Sequence, residues 1–101
     1  MLFKVGKNEF EVPVEQVNAG LTAYDEWIKG KIAADKKIEI PRAERLLKVS
    51  EIAALIAPRQ YIKEDKLKFD YFAPERLKRV ILSELGKRAQ RKRHNLPLFG
   101  G

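Results

Sequence analysis

Prolines are the residues that most constrain how this chain folds, because a proline cannot donate a backbone hydrogen bond and interrupts helices and strands. Four of them, at positions 13, 41, 58 and 74, divide residues 1–86 into stretches whose apolar residues repeat with different periods. A period of two indicates a strand, and a period between three and four indicates a helix. The prolines therefore predict where elements end, and the periods predict what each element is.

Three stretches show the alternation of a strand. Apolar and polar residues alternate on both sides of Gly6-Lys7-Asn8, which predicts an N-terminal β-hairpin that ends at Pro13. Ile38 and Ile40 alternate with charged residues before Pro41, and the alternation from Leu67 to Tyr71 is similar. These two stretches predict two further short strands.

Three stretches show a helical period. We expect helices over residues 14–34 and 42–57, and a third that opens at Pro74 and Glu75, where a proline and an acid are both favourable. The first helix contains Gly20 and Gly30, each of which costs about 1 kcal/mol relative to alanine. The predicted inward residues are Val14, Val17, Leu21, Tyr24 and Ile28 in the first helix, Leu46, Leu47, Ile52, Ala53, Leu55 and Ile56 in the second, and Leu77, Val80, Ile81 and Leu85 in the third.

The predicted element order is β-β-α-β-α-β-α, which indicates a small single-domain α+β protein. With 101 residues, 45% of them hydrophobic and 35% charged, the chain has enough material for one hydrophobic core and too little for two. We expect a globular domain over residues 1–86 and a basic and apolar C-terminal docking tail over residues 87–101.

The composition also bears on the compartment. The chain has no cysteine, which removes disulfides and thiolate metal sites, and it shows neither a secretory leader nor an apolar run long enough to span a membrane. We therefore expect no contact with a membrane and a cytoplasmic protein, or one found in the host cytoplasm and the virion if a phage encodes it.

The charge is concentrated in one part of the chain. Of the net charge of +7, residues 1–40 contribute −1 and residues 41–101 contribute +8. Five cations without any acid lie in the last sixteen residues: Lys87, Arg88, Arg91, Lys92 and Arg93. Such a segment predicts contact with an acidic protein surface or a polyanion, including DNA or RNA.

An apolar segment follows these cations. This segment contains Leu96, Leu98 and Phe99, and we expect Pro97 to favour an extended conformation, as in a peptide that docks in a pocket of another protein subunit. The closing Gly100-Gly101 also ends ubiquitin-like modifiers and sulfur carriers, but those proteins reach their diglycine from a strand and not from a basic helix. We therefore interpret residues 96–99 as the docking element.

Nothing in the sequence predicts an enzyme, a cofactor or a metal site. His94 is the only histidine and lies in the basic tail without an acid next to it in sequence. Glu64-Asp65-Lys66 faintly resembles part of the PD-ExK nuclease motif, whose preceding aspartate and larger scaffold are not evident here, and a solvated charged turn explains the same letters. No glycine-rich phosphate loop or nucleophile elbow is present in the sequence.

The segment from Lys48 to Ile62 resembles a helix-turn-helix DNA-binding motif. Glu51, Ile52 and Ala53 match its first helix, and Arg59, Gln60 and Tyr61 then stand where a recognition helix would contact DNA. Ala57 and Pro58 replace the usual turn, which favours instead a buried helix closed by a proline. Nucleic-acid binding, through this motif or through the basic tail, is therefore the alternative hypothesis for the function.

The opening FKVGKNEFEVP and the C-terminal anchoring peptide resemble those of minor assembly or virion proteins of tailed bacteriophages. The resemblance implies a structural, non-enzymatic protein whose partners are the subunits of a larger assembly. Our first hypothesis is accordingly that the tail docks this protein into such an assembly.

Overall fold

The computed structural model describes the backbone of residues 1–95 and the side chains of residues 1–91. Within this range the chain forms three helices and four short strands, and the strands pair as two separate antiparallel hairpins. The prediction of a small α+β domain with an N-terminal hairpin is confirmed. The observed order is ββααββα. It differs from the predicted order because no strand lies between the first and second helices, and two strands, instead of one, lie between the second and third.

The first hairpin pairs β1, Leu2–Val5, with β2, Asn8–Glu11. Gly6 has a φ of +62° at the first residue of the connecting turn, a conformation that glycine adopts without steric cost. One face of this hairpin covers the helices, and the side chains that do so are Phe3, Val5 and Phe10.

The helices begin and end close to the predicted residues. Helix α1 spans Val14–Ala34, α2 spans Arg42–Ile56, and α3 spans Ala73–Asn95. Pro13 and Pro41 occupy the N-cap positions of the first two helices, and Pro74 lies in the first turn of the third, where a missing N–H group has no cost.

The three helices pack on one another around a wholly apolar core. In the described part of the chain every buried side chain is hydrophobic. Ten residues form this core: Val12, Val17, Leu21, Val49, Ile52, Ala53, Ala57, Leu77, Val80 and Ile81. The predicted inward face of α3 is confirmed, with Leu77, Val80 and Ile81 buried and Leu85 packed against the core.

Helices α1 and α3 approach closely at Gly20. A Cβ atom built on Gly20 would overlap Cδ1 of Ile81 and lie 3.1 Å from its Cγ1. Ile81 is fully buried, so its side chain has little free space into which to move. The glycine at position 20 is therefore required by packing.

The strand predicted at Ile38 and Ile40 is wrong. The backbone there turns, because the Lys37 amide donates to Oδ1 of Asp35 and the Ile38 amide donates to the Asp35 carbonyl. A strand needs a neighbour for its hydrogen bonds, and both sheets consist of self-contained hairpins. Instead, Ile38 and Ile40 line a surface cleft together with Ile28 and Ile32.

Two of the predicted inward residues of α2 face solvent: Leu47 is 60% exposed and Leu55 is 83% exposed. The buried stripe of α2 runs through Val49, Ile52 and Ala53, and a helix can direct only one such stripe at its neighbours. The prediction was wrong for these two leucines because α2 has apolar residues on more than one side.

The third helix does not stop at the predicted boundary between domain and tail. It continues without a break from Ala73 to Asn95, so the residues from Lys87 to Arg93, predicted as the start of the tail, are part of α3. The predicted docking residues Leu96, Pro97, Leu98 and Phe99 lie outside the described residues.

The two glycines of α1 make a matched pair for a test of the core. We expect Gly20→Ala to lower the free energy of unfolding by about 1–3 kcal/mol, because the added methyl group overpacks the core against Ile81. At Gly30, where an added Cβ meets no atom within 4 Å, the same substitution should raise it by about 1 kcal/mol through helix propensity. Urea denaturation measures both.

A double variant tests the cause. Ile81→Val removes the Cδ1 atom and should be neutral or stabilising in the Gly20→Ala background, although alone it costs about 0.5–1.5 kcal/mol. If Gly20→Ala stabilises the protein as much as Gly30→Ala does, the close approach of α1 and α3 is wrong.

Candidate functional site

The second hairpin is the most exposed regular element of the described chain. It pairs β3, Gln60–Lys63, with β4, Lys66–Phe69, and all eight strand residues are exposed. None of these eight residues belongs to the core or packs against it. The hairpin thus projects from the helical body, and stabilisation of the core does not explain its side chains.

Residues Glu64 and Asp65 form the turn of this hairpin, with φ angles of 54° and 60°. Positive φ at both central residues is the pattern of a type I′ turn, which matches the twist of paired strands. Asparagine and glycine are the usual residues there, so a glutamate in this conformation carries a steric cost. The turn places two carboxylates at the tip.

The base of the hairpin is fastened to α3. The Asp70 amide donates to the Arg59 carbonyl at 2.7 Å, which adds one more rung to the ladder. The Asp70 carboxylate accepts a hydrogen bond from the Arg76 guanidinium and another, at 3.1 Å, from the Phe72 amide. The hydrogen bond from Arg76 is the main cause that lowers the pKa of Asp70 below its ordinary value of 3.8.

The strand register separates the hairpin side chains into two faces. Residues directly opposite each other in an antiparallel pair point to the same side, and neighbours along a strand point to opposite sides. Ile62 pairs with Leu67, and Gln60 pairs with Phe69, so these four residues share one face. The ring of Tyr71 stacks on that of Phe69, with centroids 5.8 Å apart and an interplanar angle of 13°.

We call this surface the apolar face and define it by Ile62, Leu67, Phe69 and Tyr71. These side chains are 76%, 58%, 48% and 64% exposed, respectively. An exposed single apolar residue is ordinary, but four adjacent ones on a projecting element are typical of an interaction site.

The other side of the hairpin is cationic. Tyr61 pairs with Lys68, Lys63 pairs with Lys66, and the next rung joins Arg59 to Asp70. We call this surface the cationic face and define it by Arg59, Tyr61, Lys63, Lys66 and Lys68. None of the ion pairs within the described part of the chain involves its four cations.

The second concentration of positive charge is the end of α3. Lys87, Arg88 and Arg91 are exposed there. Arg88 donates to both carboxylate oxygens of Asp25 on α1, at 3.0 and 3.1 Å, and Lys87 lies 3.4 Å from the carboxylate of Glu84. Two of the predicted polyanion contacts are therefore already paired with acids. The side chains of Lys92 and Arg93 lie beyond the described ones.

The helix-turn-helix interpretation is wrong for residues 59–62. Arg59, Gln60 and Tyr61 lead into and form strand β3, where that motif requires a second helix. The physical reason is local: Pro58 follows the end of α2, and the segment after it alternates around a two-residue turn. Gln60 also faces the side opposite to Arg59 and Tyr61.

Strand β3, and with it the two-faced hairpin, was not predicted from the sequence. The signal was present as alternation on both sides of Glu64-Asp65, in Tyr61 to Lys63 and Lys66 to Phe69. It was hidden because the two turn residues are not those that a type I′ turn prefers. The predicted strand over Leu67 to Tyr71 corresponds to β4, which ends at Phe69.

Within residues 1–95, no helix combines the length and apolar character needed to cross a membrane. The described side chains also contain no group of three or more acidic or histidine ligands that could hold a metal ion. No family model, curated protein or solved structure matches this chain.

The Asp70–Arg76 contact should make stability depend on pH in the acid range. Folding lowers the pKa of Asp70, so the contact stabilises the protein at pH values above the ordinary pKa of this carboxyl group. This contribution disappears as the carboxyl group becomes protonated below about pH 4. We expect Asp70→Asn to lower the thermal unfolding midpoint at pH 7, and the difference from the wild type to vanish near pH 2. A difference that is the same at both pH values would contradict this role.

Proposed function

We propose that this protein is a non-enzymatic interaction protein that docks as one subunit into a larger protein assembly. The observation that carries the proposal is the apolar face of the second hairpin, which is exposed although the protein has a complete apolar core elsewhere. Burying a large apolar side chain is worth about 1.5–3 kcal/mol, so four of them can supply most of a specific contact.

We propose that the occupant of the apolar face is the segment Leu96 to Phe99 of a second copy of the chain. This segment is apolar, and proline favours the extended conformation in which a peptide lies against a hairpin. One surface and one peptide of the same chain would then be complementary.

The length of α3 favours a contact with a second copy over one within the same chain. The hairpin joins α3 at Ala73, whereas Leu96 follows Asn95 at the other end of the same helix, and 22 residue steps in a helix span about 33 Å. Four extended residues cover at most about 14 Å. We therefore propose a contact between copies, head to tail, which would generate rings or open chains.

Charge contributes little to this contact. The tip of the hairpin carries Glu64 and Asp65 between Lys63 and Lys66, so its net charge is about zero, and basic residues from Lys87 to Arg93 precede the docking segment. The apolar contact would therefore determine how long the complex lasts.

The test is self-association, measured by light scattering over a range of protein concentrations. We expect the wild type to form oligomers and Ile62→Thr/Leu67→Thr to remain monomeric, because threonine preserves the strand but removes the apolar surface. Leu47→Gln/Leu55→Gln is the matched control. It removes from α2 two leucines whose exposure is similar to that of Ile62 and Leu67, and it should leave self-association unchanged.

Phe99→Ala removes the other half of the proposed contact. Alone this substitution should abolish oligomers, and at physiological salt it should reduce self-association more than Arg91→Ala does. Mixed with the Ile62→Thr/Leu67→Thr variant it should give one-to-one pairs and nothing larger, since one variant retains the surface and the other retains the peptide. A wild type that is monomeric at every concentration, or a hairpin variant that assembles normally, would refute the proposal.

A further inference from the structure

We infer that the cationic face of the second hairpin is a binding site for single-stranded nucleic acid. This inference is independent of the proposed function, because it concerns the opposite face of the hairpin and none of the four residues of the apolar face. The site consists of Arg59, Tyr61, Lys63, Lys66 and Lys68, with the cavity that Tyr61 lines.

The placement of the lysines indicates an anionic ligand. Lys63 and Lys66 are directly opposite each other next to the turn, and like charges in that position destabilise a hairpin. No described carboxylate pairs with either of them or with Lys68. The two acids that are nearest in sequence, Glu64 and Asp65, form the turn and leave the three lysines uncompensated. A ligand with several negative charges removes this repulsion.

Tyr61 also borders a cavity next to the cationic face. Tyr61 and Asp70 line this cavity of about 350 Å³, together with Glu11 and Gln16. Tyr61 is the one residue of the cationic face that lines it, so a strand bound along the lysines would meet the cavity at the Tyr61 ring. The two acids in the lining are both paired, Asp70 with Arg76 and Glu11 with the N-terminal amine.

Tyr61 distinguishes nucleic acid from other polyanions. Tyr61 is 44% exposed and lies across from Lys68, so that an aromatic residue stands among the cations. In proteins that bind single-stranded nucleic acid, unpaired bases typically stack on exposed aromatic rings while lysines contact the phosphates. An acidic peptide would use the lysines and have no need of the ring.

The experiment is a fluorescence anisotropy titration of the full chain with a labelled oligothymidylate at several salt concentrations. We expect Lys63→Gln/Lys66→Gln/Lys68→Gln to weaken binding at least tenfold near 50 mM salt and to make the log–log salt slope less negative by about 2. Lys29→Gln/Lys36→Gln/Lys37→Gln removes the same charge from exposed and unpaired positions and should change the Kd less than threefold.

Substitutions of the ring separate stacking from charge. Tyr61→Leu should weaken oligothymidylate binding at least fivefold with an unchanged salt slope, and Tyr61→Phe should bind like the wild type. The Ile62→Thr/Leu67→Thr variant should also bind like the wild type, so a failure of the assembly proposal leaves this result intact.

Three outcomes would overturn the inference. Equal losses in the two lysine variants would mean that net charge alone attracts the oligonucleotide. Loss of binding in Lys87→Gln/Arg91→Gln, with the hairpin variant unaffected, would assign binding to the end of α3. Equal affinity for polyglutamate, with Tyr61→Leu having no effect, would identify an acidic protein as the ligand.

Discussion

The contact between Gly20 of α1 and Ile81 of α3 is the constraint on which the rest of the structure depends. It brings two long helices close together at one point, and Ile52 of α2 lies 3.8 Å from the same position, so all three helices converge there. The core that forms around this point uses the apolar residues of the helices and one face of the first hairpin. The second hairpin is left outside, joined to α3 through Asp70 and Arg76.

This division between a closed core and a projecting hairpin would allow both proposed interactions on one small element. Because side chains alternate along a strand, the apolar face and the cationic face point in opposite directions, so the two proposed partners could bind at the same time. A chain of copies joined through the apolar face would display a row of cationic faces. The two proposals together describe a protein that assembles and holds a nucleic-acid strand.

The sequence was sufficient for the bounds of α1, because these depend on local periodicity and on prolines, but it placed the exposed residues Val14, Leu47 and Leu55 in the core. The bounds of α1 and the buried face of α3 were predicted residue by residue. Strands depend on partners that periodicity does not identify, so Ile38 and Ile40 were predicted as a strand without one, and β3 was missed beside β4. The two faces of the hairpin follow from register, which requires the turn at Glu64 and Asp65 to be recognised first.

The most direct test of this account is removal of the second hairpin. Because Arg59 and Asp70 are adjacent across the ladder, residues 60–69 can be replaced by Asn-Gly, which closes a two-residue turn between them. We predict that this variant keeps its helical circular dichroism and a thermal unfolding midpoint within about 5 °C of the wild type, while it loses both self-association and oligothymidylate binding. A variant that is unfolded, or one that retains either interaction, would contradict the account.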